Sequence, residues 1–278
     1  MNTLALKPQP PAQVAGKAHL ILPAWALFLR EMLRFSRQPG RLLGTLGTPL
    51  LFWLLLGSGF GSSMRLGTGG ASGGTEYLTY FFPGTLLLVV LFTGIFSSMS
   101  VILDRRDGFL LAVLAAPVSR VAIVLGKVAG GTVLGLLQGG IMLLLSPLAG
   151  LALTPGTFLA ACGVILLTSL GLSALGFLAA WRMDSVQSFH AVMNLLLMPM
   201  WLLSGAFFPA SGASTWVWAV MMANPLTHGL TALRAALEEG SASAYGGLPP
   251  GESLAILAGF AVAMVALCAW RVGRAERG

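Results

Sequence analysis

Long uncharged windows dominate the pattern of hydrophobic and polar positions along this chain. The first two windows, 42–64 and 77–103, contain 23 and 27 residues without a charge. A third window, 128–181, is 54 residues long, and the Pro- and Gly-containing stretch 146–156 divides it in two. Because about 20 apolar residues cross the hydrocarbon core as a helix, these windows predict four membrane spans.

Two further apolar windows, 188–208 and 253–270, bring the prediction to six spans. Six spans put both termini on the same side of the membrane. That side collects 14 of the 16 Lys and Arg residues, and only Arg65 and Arg234 fall on the other side. Since cytoplasmic loops retain basic residues, both termini are expected in the cytosol.

Two N-terminal segments precede the first span. Residues 1–18 are Pro-containing and polar, which predicts a disordered cytosolic tail. In 19–41, Trp25, Phe28 and Leu29 share a helical face while arginines occupy other faces, a pattern typical of a helix in the interface plane. The alternative is a helix that only leads into the first span. No small-residue cleavage site follows the short apolar run, so no removed signal peptide is expected.

The segment 209–239, between the fifth and sixth spans, is broken into short apolar pieces. The piece 216–223 is too short to span, and Asn224-Pro225 interrupts the pattern after it. Such pieces suit re-entrant half-helices, whose backbone must be solvated by protein or by a water-filled cavity. An outer loop with one surface-lying helix is the alternative, and the pattern leaves both open.

The predicted fold class is all-α and integral to the membrane, with six transmembrane helices. Its predicted parts are a cytosolic tail (1–18), an interfacial amphipathic helix (19–41), a six-helix transmembrane domain (42–271) and a second cytosolic tail (272–278).

Composition agrees with a lipid environment, since 56% of the residues are hydrophobic and only 9% are charged, against about 25% in soluble domains. The net charge of +7 lies at the ends of the apolar windows, so nucleic acid is not an expected partner. Cys162 and Cys268 are predicted about 20 Å apart in depth, too far for a disulfide, and are expected to be inert packing residues.

The sequence shows no catalytic or metal-binding constellation. Lys127 follows Gly126 but precedes Val128, so the phosphate-binding loop pattern is missing. None of the three histidines has a suitably spaced partner, and no Ser/His/Asp set is recognisable. We expect no cofactor in this chain and no enzymatic activity of its own. The span interiors also lack the charges of an ion-coupled carrier, so energy for active transport would come from another protein.

The segment between the second and third spans has a distinct composition. It begins with Arg105, Arg106 and Asp107, continues as an apolar helical stretch, and is stopped by Pro117. A short helix at the membrane surface here would be placed to push against a cytosolic partner. An ordinary positive loop is the alternative interpretation.

Small and polar residues within the spans suggest further roles. Gly131, Gly135 and Gly139 recur every four residues, which favours close approach of another helix. Gln138 and Asn194 are polar residues in apolar surroundings. Both roles stay open for them: lining a pathway, or hydrogen bonding between helices.

Three blocks of sequence carry a resemblance to a known family, over about residues 20–270. They are WALFLREMLRFSRQPGRLLGTLGTPLLFWLLLGSGF, YFFPGTLLLVVLFTGIFSSMSVILDRRDGFLLAVLAAPVSRVAIVLGK, and MNLLLMPMWLLSGAFFP followed by ANPLTHGLTALR. With these blocks the chain resembles the permease subunits of type-2 ABC transporters and is similar to the daunorubicin-resistance and nodulation-factor exporter permeases.

The resemblance implies a six-helix half-transporter that dimerises, expected here as a homodimer in the lipid bilayer. Two copies of a cytosolic ATPase subunit, which bind the ATP and magnesium, would drive it. It also implies an interfacial helix, re-entrant helices before the last span, and an ATPase-coupling segment between spans two and three. That segment matches the family at Arg105, Arg106, Asp107, Gly108, Pro117, Ser119 and Arg120. Leu111 and Ala112 depart from it, since members commonly carry a charged pair there.

The expected function is therefore the membrane subunit of an ATP-powered exporter. The absence of charges within the spans favours a hydrophobic, drug-like or lipid-linked cargo over a small ion. The alternative within the family is a polysaccharide or glycolipid exporter permease. From a different class, an ATP-independent channel or a membrane assembly factor stays open.

Overall fold

A computed structural model describes residues 20–60, 73–238 and 248–274. Within these ranges the chain is helical and contains no β-strand, which confirms the predicted all-α fold class. The helices are α1 (Ile21–Ser36), α2 (Pro39–Phe60), α3 (Gly73–Ser97), α4 (Met99–Arg106), α5 (Phe109–Ala115), α6 (Arg120–Leu143), α7 (Pro155–Ala180), α8 (Val186–Trp201), α9 (Thr215–Ala223), α10 (Pro225–Leu237) and α11 (Pro250–Arg274). The predicted tail 1–18 lies outside the described residues, and the first residues of the tail 272–278 belong to α11.

Among the described residues, five helical segments are long and apolar enough to cross a membrane. They are Tyr77–Arg106, Arg120–Leu143, Pro155–Ala180, Val186–Ala206 and Pro250–Arg274. A shorter apolar stretch, Leu43–Gly59, lies within α2. These six segments correspond to the six windows of the sequence.

Helices α3, α6 and α7 pack against one another at the centre of the bundle. Helix α3 is the most enclosed, with Phe81, Phe82 and Leu86 fully buried. Helix α2 packs on α3, α1 on α6, and α11 on α7 and α10. The outer faces of α2, α8 and α11 expose leucines to the surroundings, as a chain in lipid requires.

The Pro- and Gly-containing stretch between α6 and α7 forms the predicted turn. Ser146–Ala149 makes a 3-10 turn, and Gly150 follows with a φ of +79°. Thr154 then caps α7, because its side chain accepts a hydrogen bond from the Thr157 amide and the Thr157 hydroxyl accepts one from the Thr154 amide. The long uncharged window is thereby divided into two antiparallel helices.

The segment after α8 combines a surface helix with a buried one. Helix α8 ends in a π-helical turn, Leu202–Ala206, in which Gly205 has a φ of +92°. Helix α9 follows and buries only Met221. Helix α10 is about 20 Å long, and His228, Leu230 and Leu233 are almost fully buried in it. The burial of α10 is what a re-entrant half-helix requires, whereas α9 lies on the surface.

Arg234 holds α10 in place. From its place in the sequence, this arginine was predicted only to lie on the outer side of the membrane. In the structure its side chain is buried. It donates to the Gly205 carbonyl at 3.1 Å, and its guanidinium lies 4.2 Å from the centre of the Tyr80 ring. The Tyr80 hydroxyl donates to the same Gly205 carbonyl at 2.8 Å. The Arg234 guanidinium therefore links α10 to α3 and to the π-helical turn.

Cys162 and Cys268 are both free thiols. Cys268 is fully buried, and its Sγ donates to the Ala174 carbonyl at 3.1 Å. The two cysteines lie in different helices, α7 and α11.

Candidate functional site

The segment between the second and third spans forms a helix–turn–helix corner. Helix α4 ends at Arg106, and Gly108 turns the chain with a φ of +73°. That left-handed conformation suits glycine, because a Cβ would strain it. Helix α5 starts at once and ends where Ala116 turns extended before Pro117, which disfavours further helix.

Helix α5 has one buried and one exposed side. Leu110 points inward and is 4% exposed, whereas Leu111 is 64% exposed. The exposed residues of this corner are Arg106, Asp107, Leu111, Ala112, Ala115, Ala116 and Pro117, and we name this set the coupling face. Leu111 is the large apolar side chain of this set, and the alanines beside it are small.

Arg105 does not belong to the coupling face, although its neighbour Arg106 does. Its guanidinium donates to the Trp181 carbonyl at 2.6 Å and to the Met183 carbonyl at 3.1 Å. It also pairs with Asp184 at 3.0 Å. Arg105 therefore fastens the end of α4 to the loop after α7, and the two adjacent arginines have different roles.

Ser119 and Arg120 form the start of α6. Ser119 is the N-cap residue with an extended backbone, but its side chain makes no capping hydrogen bond. Arg120 is the first residue of the helix and is partly exposed.

A buried ion cluster lies directly behind the coupling face. Asp104 is 0% exposed, Glu31 4% and Lys127 6%. The Lys127 ammonium donates to both carboxylates and, at 3.1 Å, to the Ser100 hydroxyl. The cluster thereby joins α1, α4 and α6 at the same end of the bundle.

Two arginines of α1 complete the cluster. Arg30 and Arg34, one turn apart, each reach Asp104 Oδ1 at 2.8 Å. The Arg30 guanidinium also lies 3.5 Å from the centre of the Phe109 ring. Since Phe109 is the first residue of α5, helix α1 contacts both sides of the corner. Three cations and two anions leave the cluster with a formal charge of +1.

Sequence reasoning did not identify this cluster. In the sequence, Asp104 marked only the end of an apolar window, and Lys127 was examined only as part of a missing nucleotide-binding motif. No structural role was predicted for Glu31. The signal was present, because Glu31 lies one turn after Leu27, the other buried residue of α1. A carboxylate on the buried face of an amphipathic helix needs a cation opposite it.

Glycines allow α1 to approach α6 closely enough for these contacts. A Cβ on Gly126 would lie 2.6 Å from the Ala24 carbonyl oxygen and 2.7 Å from Leu27 Cβ. A Cβ on Gly130 would lie 2.9 Å from Glu31 Cβ. Side chains at these two positions would therefore force α1 outward.

The glycines singled out in the sequence lie on a different face of α6. A Cβ on Gly131 would lie 2.7 Å from Ser173 Oγ, and a Cβ on Gly135 would lie 2.0 Å from Ser169 Oγ. A Cβ on Gly139 would lie 2.9 Å from Ile165. The residue numbers on α7 fall as those on α6 rise, as expected for two antiparallel helices. Helix α6 therefore has one face with glycines toward α7 and another toward α1.

The two polar residues of the spans have different surroundings. Gln138 is 1% exposed, and its Oε1 accepts hydrogen bonds from Thr45 of α2 and, at 3.1 Å, from Thr93 of α3. Asn194 is exposed on α8 beside Leu195, and it makes no hydrogen bond within the part of the chain that the structure describes. The geometry places Gln138 between helices and Asn194 on an outward surface.

The described residues bring together no group of three His, Cys, Asp or Glu side chains that could hold a metal ion. The acidic residues of the ion cluster are instead occupied by Lys and Arg. The polar chemistry of this site is therefore that of ion pairs between helices.

Comparison with known proteins identifies the family. The ABC-2 type transporter family matches residues 24–237. A protein named as transport permease ycf38 of Cyanophora paradoxa is 26% identical over 213 residues, 76% of this chain and 72% of the relative. The daunorubicin resistance ABC transporter permease protein DrrB1 of Streptomyces coeruleorubidus is 23% identical over 241 residues, covering 84% and 80%. The matched region includes the ion cluster and the coupling face, and the chain therefore belongs to the ABC-2 type transporter family as a multi-pass membrane permease.

Proposed function

We propose that this permease is the membrane subunit of an ATP-driven exporter that moves a hydrophobic, drug-like or lipid-linked cargo outward. Two copies of a separate cytosolic ATPase, which hold the ATP and magnesium, dock on the coupling faces of a homodimer. Both termini lie in the cytosol, and the complex resides in the bacterial plasma (inner) membrane.

The observation that carries this proposal is the mechanical arrangement of the coupling face. Helix α5 exposes Leu111 on its outer side, while Phe109 at its start is contacted by Arg30 of α1. Its neighbour α4 is held by the Asp104 ion pairs and by Arg105. Through these contacts a push on α5 would be transmitted to α1, α6 and the loop after α7.

The spans and one relative support the proposed cargo class. The central parts of the long helices carry no Asp, Glu, Lys or Arg, so the membrane interior offers a small ion no charged site. DrrB1 is named for daunorubicin resistance, which supports a drug-like cargo here. The exposed Asn194 on α8 would line the path between the two protomers, because an amide facing lipid alone is costly.

Transport by the reconstituted complex tests the function. The permease is co-purified with a cytosolic ATPase encoded beside it and placed in inside-out vesicles, with daunorubicin as the probe. We expect ATP-dependent accumulation of the drug inside the vesicles, and its loss when an ATPase variant that cannot hydrolyse ATP is used. Permeability that rises without ATP, with no ATP-dependent movement, would support the channel alternative.

The coupling face predicts opposite outcomes for two adjacent arginines. Arg106→Glu is expected to weaken ATPase association by about tenfold and leave thermal stability nearly unchanged, because Arg106 is exposed. Arg105→Glu is expected to lower the free energy of unfolding by about 1–3 kcal/mol, because the Trp181 and Met183 carbonyls lose their donor. Pull-down with the ATPase and thermal unfolding in detergent measure the two effects. Equal behaviour of the two variants in both assays would contradict this division of roles.

A further inference from the structure

A cleft of about 350 Å³ opens where α7, α8 and α11 meet. Its apolar walls consist of Leu175, Leu178, Ala179, Met193, Leu196 and Leu267. The remaining lining residues are Arg182 and Arg271, which are 89 positions apart in the sequence. The cleft plays no part in the ion cluster or the coupling face.

The two arginines mark one end of the cleft, and the apolar walls extend from them into the bundle. Arg182 comes two residues after the end of α7, and Arg271 lies in the last turn of α11. Leu175 lies about 8 Å before the end of α7, and Leu196 about 15 Å from the start of α8. The cleft therefore runs from a basic mouth at the end of the bundle into the apolar depth of the span.

Neither arginine has a counter-ion in the described residues. Arg182 is exposed and Arg271 partly buried, and neither forms an ion pair or hydrogen bond with another described residue. Arg105, by contrast, is paired with Asp184 nearby. Two unpaired guanidinium groups at the mouth of an apolar cleft form a site for an anion that carries an apolar chain.

We infer that this cleft binds an anionic phospholipid. The phosphate of the head group lies between Arg182 and Arg271, which match its charge and can each donate two hydrogen bonds. The first part of an acyl chain lies over Leu178, Leu196 and Leu267. The site needs only a chain inserted in a membrane and does not depend on the exporter function.

Native mass spectrometry of the delipidated permease in detergent tests this inference. The probes are dioleoylphosphatidylglycerol and dioleoylphosphatidylcholine, which share acyl chains and differ in net charge. We expect the anionic lipid to bind at least tenfold more tightly than the zwitterionic one. The double variant Arg182→Gln, Arg271→Gln is expected to bind the anionic lipid about tenfold or more weakly than the unaltered protein. Each basic residue near an anionic head group adds to the free energy of binding.

A control variant with the same change in net charge distinguishes a specific lipid site from general electrostatic attraction. Arg106→Gln combined with Arg120→Gln also removes two positive charges but leaves the cleft intact, so it should retain the preference. Leu196→Trp fills the cleft without changing charge and should reduce binding of both lipids, which tests the site even if the arginine variant folds poorly.

Three results would overturn the inference. The first is equal affinity for the two lipids. The second is an equal loss in the cleft and control variants, which would indicate unspecific attraction. The third is displacement of the lipid by millimolar inorganic phosphate, which would mean that the cleft recognises a free anion.

Discussion

Asp104→Asn is expected to lower the free energy of unfolding by about 3–5 kcal/mol, the largest effect of any single substitution in the ion cluster. Asp104 is fully buried, accepts hydrogen bonds from Arg34 and Lys127, and forms an ion pair with Arg30. Asparagine would leave three cations around a neutral amide, with only Glu31 to balance them. Thermal unfolding of the purified protein in detergent measures the loss.

Asp107→Asn is the matched control, because the same chemical change occurs three residues later on an exposed side chain. It should change stability by no more than about 0.5 kcal/mol. Adding Arg34→Met to Asp104→Asn should recover part of the loss, because among the described residues Arg34 pairs only with Asp104, and the Glu31–Lys127 pair is kept. A stability of Asp104→Asn equal to that of Asp107→Asn would show that the cluster does not hold α1, α4 and α6 together.

Gly126→Ala is expected to destabilise the packing of α1 on α6 by about 1–3 kcal/mol. Its new methyl group would lie 2.6 Å from a backbone oxygen, that of Ala24, which cannot rotate away as a side chain would. Displacement of α1 would also draw Arg30 from Asp104 and from Phe109 of α5. ATP-driven transport should therefore fall together with thermal stability, and both are measured on the same reconstituted samples.

Gly140→Ala on the same helix provides the control, because nothing lies within 4 Å of the position where its Cβ would be. This change should stabilise the protein by up to about 1 kcal/mol, since alanine favours a helix over glycine. The two Gly→Ala changes thus have opposite expected signs. A stabilising Gly126→Ala would mean that α1 does not rest on this face of α6.

Much of the membrane architecture could be predicted from the sequence alone. The uncharged windows located six apolar segments, because crossing lipid requires about 20 apolar residues in a row whatever the tertiary contacts. The stretch 146–156 was predicted to divide the longest window, because Pro and Gly act locally on the backbone. The predicted coupling segment, Arg105 to Arg120, was located by its motif, and it falls on the corner that runs from the end of α4 to the start of α6.

The sequence by itself determined that the chain is a multi-span helical membrane protein, because hydrophobicity and turn chemistry are local properties. Its three sequence blocks carried the resemblance to the family. Only the tertiary structure decided which charges meet. Glu31, Asp104 and Lys127 are up to 96 positions apart, and their pairing depends on how α1, α4 and α6 pack. The same packing gives the neighbouring Arg105 and Arg106 different surroundings and places Arg182 and Arg271 in the lining of one cleft. Which residues a side chain faces is decided only when the helices pack together.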